Sequence, residues 1–307
     1  MTAAVPLPPT GTLTPAATVA LLVLACHAPA VLGQLAAACD APRFRCYVHL
    51  DAREDPATYT GLWAWPAHVE FIGDRFPVYW GGFNMIRATE ALVRRALGDM
   101  ANRVFVLLSD DTLPLVRPDR LFAELMASPD RIDVGLARRN PRFLTRYRDF
   151  FFLDSPATSA RPLAVEQRSI DPAALDALER LARLRERGKV PLREVWSGSQ
   201  WWALSRPTLT AVTAELASDA WLRASFEFSA VPDEMAIQTL YANRLGLTAR
   251  SFTGPMFADM SRAPAPFVYR SWDEVPTPGA DKLFIRKIAN EAAEPMARQL
   301  RSQWDAS

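Results

Sequence analysis

Two carboxylates stand side by side in Val231-Pro232-Asp233-Glu234-Met235. A carboxylate held near a hydroxyl can take its proton, the work of a general base. Glu234 is the first candidate for that role, with Asp233 as an orienting or capping residue. The plainer reading is that both acids sit at a helix start and complement the positive end of its dipole. The opposite charge comes from the far end of the chain. Asp281–Ile288 carries Lys282, Arg286 and Lys287 among Leu283, Phe284 and Ile285. Cations so placed can neutralise a departing phosphate, although a basic trio beside a strand is more often surface charge. Arg286 and Lys287 would face opposite ways on an extended chain. Arg270, ahead of Trp272, is a further candidate cation.

Other segments could recognise a ligand. Trp196-Ser197-Gly198-Ser199-Gln200-Trp201-Trp202 cannot turn all its indoles to one core side. Gln200, Trp201 and Trp202 either wall an acceptor site or belong to a buried strand packed on both faces. Gly135–Phe152 is basic and aromatic, with Arg138, Arg139, Arg142, Arg146 and Arg148 among Phe143, Tyr147 and Phe150 to Phe152. It reads as a solvated face over core aromatics or as an acceptor rim. Asp110-Asp111 invites a metal reading, but the two are adjacent and lack Asp-x-Asp spacing. With three His and three Cys, none of them in a CxxC pair, no structural zinc site or disulfide framework is expected.

The elements that must position these residues are short and alternating. Thr18–Ala25 reads as a fully buried strand that stops at Cys26-His27, followed by a helix over Ala30–Cys39. Arg45–Leu50 is a second strand ending at Asp51, and His68–Ile72 a short third. Asn84 can cap a helix running to Leu97, which Gly98 stops. Arg103–Leu108 is a further strand, ending at Ser109-Asp110-Asp111. Asp171-Pro172 starts an amphipathic helix ended by Gly188, Arg206-Pro207 another to about Ala217, and Pro232 fits a third start. Such alternation predicts a parallel-type sheet covered by helices. His27, Asp51 and Asp110 then fall just past strand carboxyl ends, the edge where open α/β sheets bind ligands.

The chain has 307 residues, half of them apolar, with a net charge of +1. That supports a large core and gives no broad attraction for nucleic acid. Residues 1–16 read as disordered, 17–290 as one domain and 291–307 as a C-terminal helix or tail. The apolar stretch Ala16–Ala25 is too short to span a bilayer, and no basic n-region precedes it. A cytoplasmic protein is expected, compatible with peripheral association with a membrane.

In order, the segments VALLVLACH, CYVHLD, VYWGGFNMIRATEALVRRAL, VFVLLSDDTLPL, WSGSQWWALSR, VPDEMAIQTLYAN and DKLFIRKI resemble those of the core-2/I-branching glycosyltransferases, which include peptide xylosyltransferases. The likeness runs collinearly over about residues 18–290. It implies a GT-A-like α/β fold with a Rossmann-like nucleotide-binding sheet and helices on both faces. It also implies an inverting enzyme that needs no metal or other cofactor and moves GlcNAc or xylose from a UDP-sugar to a glycan hydroxyl. Glu234 matches the family's catalytic Glu, and Lys287 its diphosphate-binding Lys. His27, Asp51, Tyr79, Trp80, Gly81, Ser109, Asp110, Arg270 and Arg286 are expected on the donor side. Two departures stand out: the family's Gly in the Leu-Ser-Gly segment is Asp110 here, and its later Asp is Thr112. Residues 137–195 match poorly, and acceptor choice is expected there. The departures keep open a non-catalytic carbohydrate-binding protein on the same fold. A metal-dependent phosphoryl or nucleotidyl transferase using Asp110-Asp111 is the least supported reading, since no Gly-rich phosphate loop is present.

Overall fold

The computed structural model of the protein describes residues 17–40, 42–61, 64–155, 172–190 and 194–306. Residues 1–16, most of the Ser155–Gln167 loop and Asp171 lie outside them. The first strand, β1 (Thr18–Ala25), is buried at every position, as a parallel strand covered on both faces must be. There follow α1 (Pro29–Ala38), β2 (Phe44–Leu50), the single turn α2 (Ala57–Thr60), β3 (Val69–Phe71), α3 (Asn84–Leu97) and β4 (Asn102–Ser109). These four strands are parallel, in the order β3-β2-β1-β4. The chain leaves β1 toward β2 and β3, then returns across the sheet to β4. Right-handed crossovers therefore put α1 and α3 on opposite faces. The reversal opens a crevice between the carboxyl ends of β1 and β4, the switch point where such sheets take ligands.

The rest of the chain is arranged around that crevice. The elements are β5 (Leu113–Pro114), α4 (Pro118–Ala127), β6 (Asp133–Leu136), α5 (Pro141–Arg148), α6 (Pro172–Arg187), β7 (Trp196–Ser197), β8 (Ala203–Ser205), α7 (Arg206–Ser218), α8 (Ala220–Glu227), α9 (Ala236–Arg244), β9 (Ser251–Phe252), β10 (Met256–Ala258), β11 (Phe284–Arg286) and α10 (Ala293–Ala306). β8 pairs antiparallel with β4 and closes that edge of the sheet. β11 pairs with β5, Ile285 opposite Leu113, so the C-terminal basic segment arrives directly beyond β4. β6 lies between β7 and β9 in a third small sheet.

A large core surrounds β1, β2 and β4, and a second joins α1 to α10 through Val31, Leu113, Ile285, Met296 and Leu300. All three cysteines are free thiols. No helix of the described residues is long and apolar enough to cross a membrane.

Two helix starts differ from expectation. Asn84 does not cap α3; it is the first helical residue, and its side chain donates to the Pro77 carbonyl. The cap is Asp154, whose carboxylate accepts the Asn84 backbone N–H at 3.0 Å. Pro232 begins only a short 3-10 turn, Pro232–Glu234, and α9 starts after it.

Candidate active site

Asp110 and Asp111 turn opposite ways at the end of β4. Asp110 is fully buried. Its Oδ2 accepts the backbone N–H groups of Cys26, His27 and Ala28 at 3.0, 2.9 and 2.8 Å, and the Tyr59 hydroxyl at 2.6 Å. One carboxylate oxygen thus gathers the β1–α1 turn, so Asp110 shapes the crevice from behind and offers no open surface to a donor. This corrects its expected place as a direct donor contact. Asp111 faces the crevice. It receives the Ser109 hydroxyl, pairs with Arg286 at 3.3 Å, and lies 3.7 Å from His27 Nε2. Burial alone would raise its pKa; Arg286, His27 and Ser109 together hold it well below the usual carboxylate range. The nearby Asp111 carboxylate, then the hydrogen bond to Cys26, raises the pKa of His27 to about 10. His27 is therefore a cation at neutral pH, with its side chain 58% exposed at the mouth.

Arg286 is buried, with its Nε donating to Ser109 Oγ at 2.8 Å and its guanidinium 4.5 Å above the Trp201 ring. It holds the wall together, while Lys287 is only half-buried and makes no side-chain hydrogen bond among the described residues. Arg270 is exposed and turned toward Glu291 at 3.5 Å. Its neighbour Tyr269 bonds the Lys287 carbonyl, so Arg270 stays close to Lys287 in the fold.

On the β2 side, Asp51 is buried and held by Arg53, whose Nη2 donates at 2.8 Å. The Arg53 guanidinium lies 4.8 Å over the Tyr79 ring. Arg53 thus joins Asp51 to Tyr79, an element the sequence reading did not include. Trp80 is 63% exposed. Its loop is nevertheless pinned, by Val78 N–H to Asp51 and by Val231 N–H to the Gly81 carbonyl. Gly81 takes φ +77°, and a Cβ at Gly82 would lie 2.1 Å from Asp154 Oδ1. The loop needs glycine at both positions, first for its turn and then for the carboxylate that caps α3.

The carboxylate pair lies on the other side of that contact. Val231 has φ 54°, a left-handed conformation that a β-branched residue adopts at a cost. The strain bends the chain into the turn presenting Asp233 and Glu234. Asp233 is buried, its Oδ1 has no hydrogen-bond partner, and burial with the adjacent Glu234 charge raises its pKa to about 7. Glu234 is half-exposed and accepts Arg146 Nη1 at 2.9 Å. Its carbonyl accepts the Gly198 N–H. Gly198 begins the loop carrying Gln200 and Trp201, and Trp201 reaches Arg286. A continuous line of contacts therefore runs from Glu234 to the ends of β1 and β4.

The structure draws His27, Asp111, Arg286 and Lys287 together at the switch point and joins Glu234 to them through 198–201. Trp202 does not take part. It is buried in the core, where its carbonyl pairs with Leu107 N–H, and is no acceptor wall. Trp201 is nearly buried beneath Arg286 and supports that cation. Gln200 Nε2 is buried without a partner. Besides Arg53, the residues missed are Asp111, considered only within the disfavoured metal reading of Asp110-Asp111 and not as the anchor of Arg286 and His27, and Arg146, read only as part of a basic aromatic stretch.

A Rossmann-ordered sheet with cations at its switch point and a carboxylate beside them describes a group-transfer enzyme acting on phosphorylated donors. The family model of the Core-2/I-Branching enzymes matches residues 30–278. The chain belongs to that family and is a glycosyltransferase, with the mixed α/β fold of GT-A-like enzymes and, as its substrates, a nucleotide-sugar donor and a glycan acceptor. No curated protein gives a significant match to the sequence.

Proposed function

We propose that this protein moves GlcNAc or xylose from a UDP-sugar to a glycan hydroxyl by a single displacement with inversion, without a metal, in the building of a polysaccharide. Glu234 takes the acceptor hydroxyl proton as the acceptor oxygen bonds to the anomeric carbon. The bond from that carbon to the diphosphate breaks on the opposite face, following the logic of inverting glycoside hydrolysis. The departing charge meets Lys287, with His27 and Arg270 beside it, in place of a metal. Arg286 and Trp201 keep that wall fixed, while Trp80 and Tyr79 flank the donor.

One observation carries this reading. Of the two adjacent carboxylates, only Glu234 is open to solvent, and the 198–201 loop ties it to the cations of the switch point. The Glu234–Arg146 pair further supports a base held in position from the stretch expected to bind the acceptor. This reading puts the enzyme in the cytoplasm and is compatible with peripheral association with a membrane. Retention in membranes after a high-salt wash would count against a peripheral mode.

The test is donor binding and turnover with and without EDTA. A rise in melting temperature with UDP-sugars that survives EDTA, followed by release of UDP in the presence of acceptor, is the expected result. Strict dependence on Mn²⁺ would overturn the mechanism. Glycan binding with no donor turnover under any condition would favour a binding protein.

A further inference from the structure

Cys26 Sγ, a ring nitrogen of His27 and a carboxylate oxygen of Asp110 lie within 4.8 Å of one another. They meet at the switch point, at the end of β1. Asp110 Oδ2 is committed to four donors, but its Oδ1 is buried and has no hydrogen-bond partner. The His27 ring is clamped between two groups, Nδ1 facing Cys26 Sγ at 2.7 Å and Nε2 facing Asp111 Oδ2 at 3.7 Å. A carboxylate behind an imidazole is the arrangement that orients metal-bound histidines. Three backbone N–H groups and the Tyr59 hydroxyl fix the carboxylate ligand in the same outer-shell manner.

We infer that Cys26, His27 and Asp110 form a binding site for a zinc-class divalent cation. A thiolate, an imidazole and one carboxylate select zinc over the oxygen-seeking magnesium and manganese ions. Tetrahedral bonds of about 2.0–2.3 Å place ligand atoms roughly 3.5 Å apart, a spacing comparable to the 4.8 Å within which these three groups already lie. On binding, Cys26 loses its thiol proton and His27 its imidazolium proton, both to solvent. Thiolate and carboxylate then match the two positive charges, and the exposed side of His27 leaves the fourth position to water. The ion would sit in the crevice proposed for the donor. On that reading, which the site itself does not need, zinc inhibits a transfer that magnesium leaves alone.

The test uses the full chain, reduced and stripped of metal, without donor or acceptor, so its failure leaves the transferase reading untouched. Cobalt(II) titration should give a near-ultraviolet thiolate-to-cobalt charge-transfer band that saturates at one ion per chain. One equivalent of zinc should remove the band. Cys26→Ser should abolish it and weaken zinc binding tenfold or more, and His27→Asn should weaken zinc binding on the order of tenfold. His27 is exposed, so His27→Asn keeps the test open if the cysteine variant fails to fold. The inference is overturned if wild type shows no band, if the band survives Cys26→Ser, or if His27→Asn binds zinc as wild type does.

Discussion

Removing the Asp110 carboxylate should cost more stability than any other single change at the crevice. Four donors converge on its Oδ2, but they are not equivalent. The N–H groups of Cys26 and His27 are partly exposed and can reach water once the carboxylate is gone. The Ala28 N–H and the Tyr59 hydroxyl are buried and cannot. A buried donor left without a partner costs about 1–3 kcal/mol, so Asp110→Ala should lose roughly 2–6 kcal/mol. Asp110→Asn keeps one acceptor oxygen without its charge and should lose about 1–2 kcal/mol. Urea unfolding at neutral pH, followed by far-ultraviolet circular dichroism, reads this directly: the midpoint should fall with an unchanged slope. A loss under about 1 kcal/mol in the alanine variant would refute the claim that this carboxylate assembles the β1–α1 turn.

Three further outcomes are expected. Glu234→Gln should slow sugar transfer by roughly 10²–10⁴-fold, the usual range for a general base; because glutamine still offers Arg146 an acceptor, the melting temperature should stay put, and a rate within a few fold of wild type would remove Glu234 from the mechanism. Gly82→Ala places a Cβ 2.1 Å from Asp154 Oδ1 and should destabilise the fold clearly in urea titrations, whereas an unchanged midpoint would mean the loop can move aside. Burial raises the Asp154 pKa to about 6, above the unfolded value, so in this range the folded state holds a proton the unfolded state has lost. Its stabilising contribution is full below about pH 4 and fades as pH rises through 6; Asp154→Asn should remove up to about 1.4 kcal/mol per pH unit of that decline, measured by urea unfolding between pH 4 and 7.

Much of the sheet was legible because its strands are continuous apolar runs. Thr18–Ala25 could be placed to the residue, and the runs ending at Asp51 and Asp110 nearly so, since parallel strands covered on both faces leave no polar alternative. The site was legible only as far as local rules reach. Nothing in Asp110-Asp111 says which carboxylate turns inward; that is settled by Cys26 to Ala28 in the β1–α1 turn and by Arg286 near the other end of the chain. The Asn84 cap failed for a similar reason, because Asp154, seventy residues on, reaches the helix start first. Trp202 could be read equally as a ligand wall or as part of a buried strand, because composition carries no information about burial; the structure buries it. Arg146 is 88 positions from Glu234, and no periodicity or motif links them.

The Arg146–Glu234 pair also bears on how far this enzyme can be recombined. Arg146 sits in the stretch 137–195 where acceptor choice was expected, while Glu234 sits in VPDEMAIQTLYAN, one of the segments that carry the resemblance. The two segments are joined twice, by the Arg146–Glu234 ion pair and by the Ala230 N–H to the Arg146 carbonyl. A chimera that replaces residues 137–195 wholesale would leave Glu234 in place, still held by Gly198, but would strip it of Arg146. Grafts meant to change the acceptor should keep Pro141–Arg148 native and join the foreign sequence after it.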